Sequence, residues 1–279
     1  MPSLLIFGLG YTATRLADRV RSMGWDVTGT SRDGRAATIG FADRDRVQAA
    51  LARATHIVSS VPPGEGGDPV LSAYADTLAS SGAWLGYLSS TGVYGDAGGA
   101  WVDETSPVGT GRRSARSDAD TAWLGIGARV FRLPGIYGPG RSALDRVASG
   151  QAHRVDIAGQ VFSRVHVDDI IAGVIAGFDG PPGAYNLADD RPCSQNDVID
   201  FAARLLGRDP PPFVPLDSLS AMARGFYAEN RRVANGKAKR MLGWQPAFRD
   251  YRVGLRALSA ITSPAIASTA PAAASTDQR

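Results

Sequence analysis

Short apolar runs recur through the first half of the chain, at Leu4 to Phe7, Asp26 to Thr30, His56 to Val61, Trp84 to Ser89 and Ala128 to Arg132. Each is strand-length and is separated from the next by a polar, helix-length stretch, which predicts β-strands. Between them, Thr14 to Met23, Arg46 to Ala52, Val70 to Ser80 and Ser117 to Leu124 place apolar residues at helical spacing. Strand and helix alternating in this way predict βα units and a parallel sheet, an α/β fold wound on both faces. Gly24 stands where the first helix should stop, because a residue without Cβ closes a helix in the left-handed conformation.

Beyond Arg132 the pattern changes. Pro134-Gly135 and Gly138-Pro139-Gly140 punctuate the chain, a short helical stretch follows from Ala143 to Ser149, and the segment reads as leaving the main sheet. Val165-His166-Val167 with Asp168-Asp169 predicts a strand feeding a helix, Ala184 to Leu187 a further strand, and Ser194 an N-cap for a helix over Val198 to Leu206. Residues 1–132 and 164–189 are expected to form a Rossmann domain, and 133–163 with 190–260 a substrate-binding cap. Residues 261–279, almost wholly Ala, Ser, Thr and Pro from Ser263 onward, are expected to be a disordered tail.

With 279 residues and 44% of them hydrophobic, the chain can bury a substantial core. Its net charge of +3 is too small to argue for a nucleic-acid or membrane surface, so a small-molecule partner is expected. The single cysteine, Cys193, offers neither an intramolecular disulfide nor metal-ligand spacing, so no metal is expected and a reducing, cytoplasmic setting fits. No apolar run approaches the ~18 residues of a membrane span.

The first run leads directly into Gly8-Leu9-Gly10-Tyr11-Thr12-Ala13, a G-x-G-x-x-A pattern placed after a strand and at the start of a helix. There Gly8 permits the tight turn and Gly10 lets the backbone approach a pyrophosphate. Ala13 lets helix and strand pack closely, and the helix start at Tyr11 and Thr12 faces the anion. NAD-binding folds place a carboxylate at the tip of the second strand to hold the ribose 2′-hydroxyl. Here the tip is Thr30-Ser31-Arg32, whose cation and hydroxyls suit a 2′-phosphate. NADP(H) is therefore favoured over NAD(H). Asp43, where a third strand should end, is placed to contact the adenine.

Leu88-Ser89-Ser90-Thr91-Gly92-Val93-Tyr94-Gly95 resembles the S-S-x-x-V-Y-G segment of the extended short-chain dehydrogenase/reductases, the NAD-dependent epimerase/dehydratase family. Three further blocks are similar to that family's motifs in the same order: Arg132 to Gly140, Arg164 to Asp169, and Lys237 to Trp244. The glycine turn followed by tyrosine, and the Val61-Pro62-Pro63 turn, look most like its YeeZ-like branch. The resemblance implies a Rossmann sheet with a C-terminal cap, a polar substrate with nucleotide-linked compounds among the candidates, and a homodimer. Val61, Pro62 and Pro134 count among the implied cofactor contacts.

Catalysis in the family needs a serine or threonine on the substrate oxygen and a Tyr-x-x-x-Lys pair. The resemblance puts Ser90 at the first position, with Ser89 and Thr91 as hydroxyl neighbours, but Arg112 at the tyrosine position and Arg116 at the lysine position. Arginine stays protonated near neutral pH and does not replace the tyrosine acid. Arg116 is expected to hold a ribose or phosphate, and Arg112 an anionic substrate. Tyr94 and Tyr137 are the tyrosines left near the site, as alternative acids or substrate-stacking rings. Arg141 and Arg164 border the expected cleft as anchors for a substrate anion, and Asp103 or Glu104 could supply a carboxylate. Two functions follow: an NAD(P)-dependent oxidoreductase, epimerase or dehydratase, or an inactive NADP(H)-binding sensor.

Overall fold

The structure is a computed structural model that describes residues 1–35, 37–109 and 114–262. Its elements in chain order are β1 (Ser3–Phe7), α1 (Tyr11–Ser22), β2 (Asp26–Ser31), β3 (Ile39–Gly40), α2 (Arg44–Leu51), β4 (His56–Ser59), α3 (Pro69–Ser80), β5 (Trp84–Ser90), β6 (Trp101–Val102), α4 (Ser114–Gly125) and β7 (Arg129–Leu133). There follow β8 (Gly135–Tyr137), α5 (Ala143–Ala148), β9 (Arg164–His166), α6 (Val167–Ala176), β10 (Gly183–Asn186), α7 (Gln195–Leu205), α8 (Ala221–Tyr227), β11 (Arg232–Val233), α9 (Gly236–Leu242) and α10 (Tyr251–Thr262).

The seven strands of the main sheet lie in the order β10-β7-β5-β4-β1-β2-β3 and pair in parallel throughout. Such a sheet is covered on both faces, and the period-two alternation of β1 shows how the sequence achieves this. Leu4 and Ile6 join Leu16, Ala17 and Val20 of α1 and Ile170 and Val174 of α6 in one core. Leu5 and Phe7 point the other way, into a core with Leu51 of α2, Tyr74 of α3 and Trp123 of α4. At about 1.5–3 kcal/mol for each fully buried large apolar side chain, these two layers supply most of the drive to fold.

The local signals act as anticipated. Gly24 follows α1 at φ +84° and its N–H donates to the Arg21 carbonyl. Ser194 caps α7 by accepting from the Asp197 N–H at 3.0 Å.

Three segments differ from expectation. The strand at Arg164–His166 does not enter the main sheet; it pairs with β8 in a separate two-stranded ribbon, and the helix begins at once because the His166 ring caps it by accepting from the Asp168 N–H at 3.2 Å. The segment around Ala238 and Trp244 packs on the β1–α1–α6 core instead of the cap. The helix α10 runs through Thr262, past the expected end of the cap at residue 260; the stretch 263–279 lies outside the described residues. The cap core itself is built from Tyr137, α5, α7 and α10. Among the described residues no helix is long and apolar enough to cross a membrane, and no group of three His, Cys, Asp or Glu side chains gathers as a metal site would require.

Candidate functional site

The strand order reverses between β1 and β4, and an α/β sheet opens a crevice beyond the carboxyl ends of its strands at such a switch point. A cleft of about 700 Å³ lies there. It brings together Gly10, Tyr11, Thr12, Pro62, Ser90, Thr91, Arg116, Pro134 and Arg141 of the residues singled out from sequence.

The glycine turn is shaped for a close backbone approach. Gly8 has φ +83°, and a Cβ there would meet the Val61 side chain at 2.9 Å, so Val61 bounds the turn from behind. Gly10 differs: its φ of −92° suits any residue, and a Cβ would meet nothing within 4 Å. What a side chain would fill at Gly10 is the open cleft. The helix α1 begins there with no side-chain cap and no acidic residue in its first turn, which leaves N–H groups and the positive end of the helix dipole to an anion. Ala13 is fully buried against the core, as close helix-to-strand packing requires.

Tyr11 ties this turn to the cap. Its hydroxyl donates to the Pro139 carbonyl at 3.1 Å, and the guanidinium groups of Arg15 and Arg141 lie 4.0 Å and 5.5 Å from the centre of its ring.

At the tip of β2 the roles divide. Thr30 is buried and its Oγ1 accepts from the Gly8 N–H at 3.2 Å, so it braces the glycine turn and is not free for a cofactor. The Ser31 hydroxyl is likewise engaged inside its own loop, with the Thr38 hydroxyl at 2.6 Å and the Gly34 N–H at 3.0 Å. Arg32 alone is exposed at the strand end, with no ion pair among the described residues. Asp43 caps α2 through the Arg46 N–H at 3.2 Å, a structural task.

On the opposite wall, Ser90 ends β5. Its Oγ accepts from the Gly92 N–H at 3.1 Å, which leaves its own proton to donate into the cleft. Thr91 is buried beside it. Arg116, half-buried on α4, reaches the cleft and donates to the Tyr87 hydroxyl at 3.3 Å. Behind this wall runs a buried chain of polar groups: Ser89 Oγ donates to Asp120 at 2.6 Å, Asp120 pairs with Arg132 at 2.6 Å, Arg132 donates to the Tyr94 hydroxyl at 3.0 Å, and Tyr94 donates to Asn186 at 2.8 Å.

Tyr94 is therefore not a cleft acid. It is buried, its hydroxyl is spent in this chain, and burial pushes its pKa up to about 12 against the opposing pull of Arg132. Tyr137 sits in the cap core beside a second cavity; its hydroxyl is buried with no hydrogen-bond partner among the described residues, and burial raises its pKa. Arg164 is only 7% exposed and donates to Phe162, Cys193, Ser194 and Gln195, so its guanidinium is a cross-brace of the cap and not a free substrate anchor. Asp103 is folded into a turn with Thr105 and Ser106, and Glu104 accepts from the Asn186 N–H; neither lines the cleft. Arg112 lies outside the described residues.

Sequence reasoning missed the cap side of the cleft, where Phe162, Phe226, Glu229 and Arg231 close it. Arg231 pairs with Glu229 at 2.9 Å and donates to the Gly95 carbonyl. Phe162 comes from the loop before β9, and the other three from the short α8 and the loop after it, segments with no apolar periodicity to announce them.

No family model matches the chain. A protein of Escherichia coli K12 described as Protein YeeZ is 30% identical over 269 aligned residues, covering 84% of this chain and 94% of that protein. The solved structure of a functionally unknown conserved protein from Silicibacter pomeroyi is 42% identical and superposes with a TM-score of 0.83 over 94% of this chain and 99% of that one. A human epimerase family protein with NADPH shares the fold, at a TM-score of 0.69 and 18% identity over 92% of this chain and 99% of that one.

Proposed function

This chain belongs to the NAD-dependent epimerase/dehydratase family of extended short-chain dehydrogenase/reductases, in the branch that holds the Escherichia coli protein YeeZ, and from that premise we propose that it is an NADP(H)-dependent oxidoreductase, epimerase or dehydratase acting on a small polar substrate. One observation carries the reading: a single cleft joins the open helix start at Gly10 and Thr12 to the donor hydroxyl of Ser90. The residues fit a dinucleotide because the space that a Gly10 Cβ would fill is empty and faces uncapped N–H groups.

In this reading Gly8 and Gly10 let the backbone approach the pyrophosphate and the start of α1 holds it. Arg32 pairs with the 2′-phosphate, while Pro62 and Pro134 flank the ring systems. The bound nicotinamide supplies or accepts the hydride. Ser90 donates a hydrogen bond to the substrate oxygen, and Arg116 holds a ribose or phosphate oxygen. The main sheet carries the cofactor and the cap carries the substrate.

A second reading is favoured by one feature. Among the described residues lining the cleft there is no lysine, and the only tyrosine, Tyr11, has its hydroxyl bonded to Pro139. A non-catalytic NADP(H) sensor needs no acid. Calorimetric titration with NADPH, NADP, NADH and NAD in parallel tests the cofactor: tight binding of the phosphorylated pair is expected, and no binding of any of the four overturns both readings. Oxidation of bound NADPH by a panel of carbonyl compounds then separates enzyme from sensor.

A further inference from the structure

A second cavity of about 690 Å³ lies in the cap and adjoins the cofactor cleft; Gly135, Ile136, Arg141, Phe162, Ser163 and Phe226 line both. Its wall is unusual in what it leaves free. Several polar groups there are already spent within the protein. Asp145 accepts both the N–H and the hydroxyl of Ser142 at 2.7 Å, and the Ser149 hydroxyl donates to the Arg146 carbonyl at 3.2 Å. Arg164 is fully engaged, and the Gln195 side-chain oxygen accepts from it at 3.0 Å. Arg141 and Arg146, by contrast, form no ion pair among the described residues, and both are exposed to the cavity.

The remaining surface is aromatic. Phe162 and Phe226 stack at 4.9 Å with 18° between their planes, and Tyr227 meets Phe162 edge-on at 5.6 Å. Phe226 is 56% exposed at the junction of the two cavities, an apolar ring left uncovered where a ligand would pass. Arg146 and Tyr227 line the same cavity, so cation and ring share one wall.

We propose that the substrate is an aryl carboxylate: its planar ring packs on the Phe162, Phe226 and Tyr227 surface, and its carboxylate is held by Arg141 and Arg146. This deepens the reading of the same site as an NADP(H)-dependent one and rests on it. A sugar nucleotide matches this wall less well, because the three rings offer its hydroxyl groups no partner across the face that a planar apolar ring would cover. The planar ring and single anion need only what the wall leaves free.

The test is calorimetry on the NADPH-loaded protein with cinnamate and, in parallel, UDP-glucose. Cinnamate is expected to bind at least tenfold more tightly than UDP-glucose. Arg146→Ala should weaken cinnamate about tenfold or more while leaving NADPH affinity unchanged, since Arg146 is exposed and does not line the cofactor cleft. Phe226→Ala should weaken it as well, and Phe226→Tyr should restore most of the affinity. Tighter binding of UDP-glucose, absence of cinnamate binding, or indifference to Arg146→Ala overturns the proposal. NADPH binding is measured first and on its own. If it fails, cinnamate binding to the free protein that is lost in Arg146→Ala still supports the aryl-carboxylate cavity while the cofactor reading falls.

Discussion

The two walls of the cleft are built on opposite plans. The wall at the β1–α1 turn is backbone: two glycines, an uncapped helix start and empty space beside Gly10. The wall at the end of β5 is side chain: Ser89, Asp120, Arg132, Tyr94 and Asn186 bond to one another out of solvent. The first leaves its donors open to a ligand, whereas the second spends most of its polar groups on itself and offers the cleft Ser90, Thr91 and Arg116. Polar residues of a motif that lies beside a cleft need not face it, and here most of them lock strands, helix and turn together.

The contrast makes opposite demands on two substitutions, and the larger effect belongs to the locked wall. Asp120 is fully buried and pairs with Arg132, which is 3% exposed, so Asp120→Ala strands a guanidinium in the interior and should cost about 3–5 kcal/mol in urea unfolding. Gly10→Val should do the reverse. Its backbone is ordinary and its surroundings are open, so stability should fall by no more than about 1 kcal/mol. NADPH affinity should fall about 100-fold or more, roughly 2.7 kcal/mol, because the isopropyl group occupies the pyrophosphate space. If Gly10→Val unfolds the protein while Asp120→Ala spares it, the division between a binding wall and a structural wall is wrong.

The same division explains what the sequence made legible. The Leu4 to Phe7 run, the glycine turn, Gly24 and Ser194 are all decided by neighbours in sequence: alternation, a positive φ, a cap three residues away. Tyr94 and Arg164 are decided by residues far away. Tyr94 finds Asn186 and Arg132 across the sheet, and Arg164 finds Cys193, Ser194 and Gln195 across the cap, partners that no local pattern announces. Thr30 and Ser31 carried the right chemistry for a 2′-phosphate and were claimed by the turn and loop beside them. The cap wall at Phe226, Glu229 and Arg231 was invisible because the chain reaches it without periodicity, through the short α8 and a loop.

Arg32 sharpens the comparison from the binding side. It is exposed and unpaired among the described residues, so Arg32→Asp should leave the unfolding midpoint in place. It should weaken NADPH about 10- to 30-fold, roughly 1.4–2 kcal/mol, with NADH affinity unchanged or slightly improved. Parallel titrations decide this, and an equal loss for both cofactors removes Arg32 from the 2′-phosphate.

The smallest effect comes from a buried carboxylate that the locked wall does not satisfy. Asp120 has a guanidinium and a hydroxyl, whereas Asp189 is 2% exposed, accepts from the Arg191 N–H at 3.2 Å with one oxygen, and has no partner for the other among the described residues. Burial pushes its pKa up to about 8, against the weaker opposing pulls of the Arg191 N–H and Arg164. The native protein therefore keeps a proton that the unfolded chain releases above about pH 4, and stability falls as pH rises toward 8. Asp169, raised by burial to about 6, contributes with the same sign but has finished titrating by pH 7. His56 and His166, both lowered by burial, act in the opposite sense below their ordinary value of 6.5. Between pH 7 and 8 the slope is left to Asp189, at about 1 kcal/mol per pH unit. Asp189→Asn should flatten urea-unfolding stability across that window while leaving NADPH affinity untouched; a slope that survives the substitution would return Asp189 to the satisfied, ionised side of the comparison with Asp120.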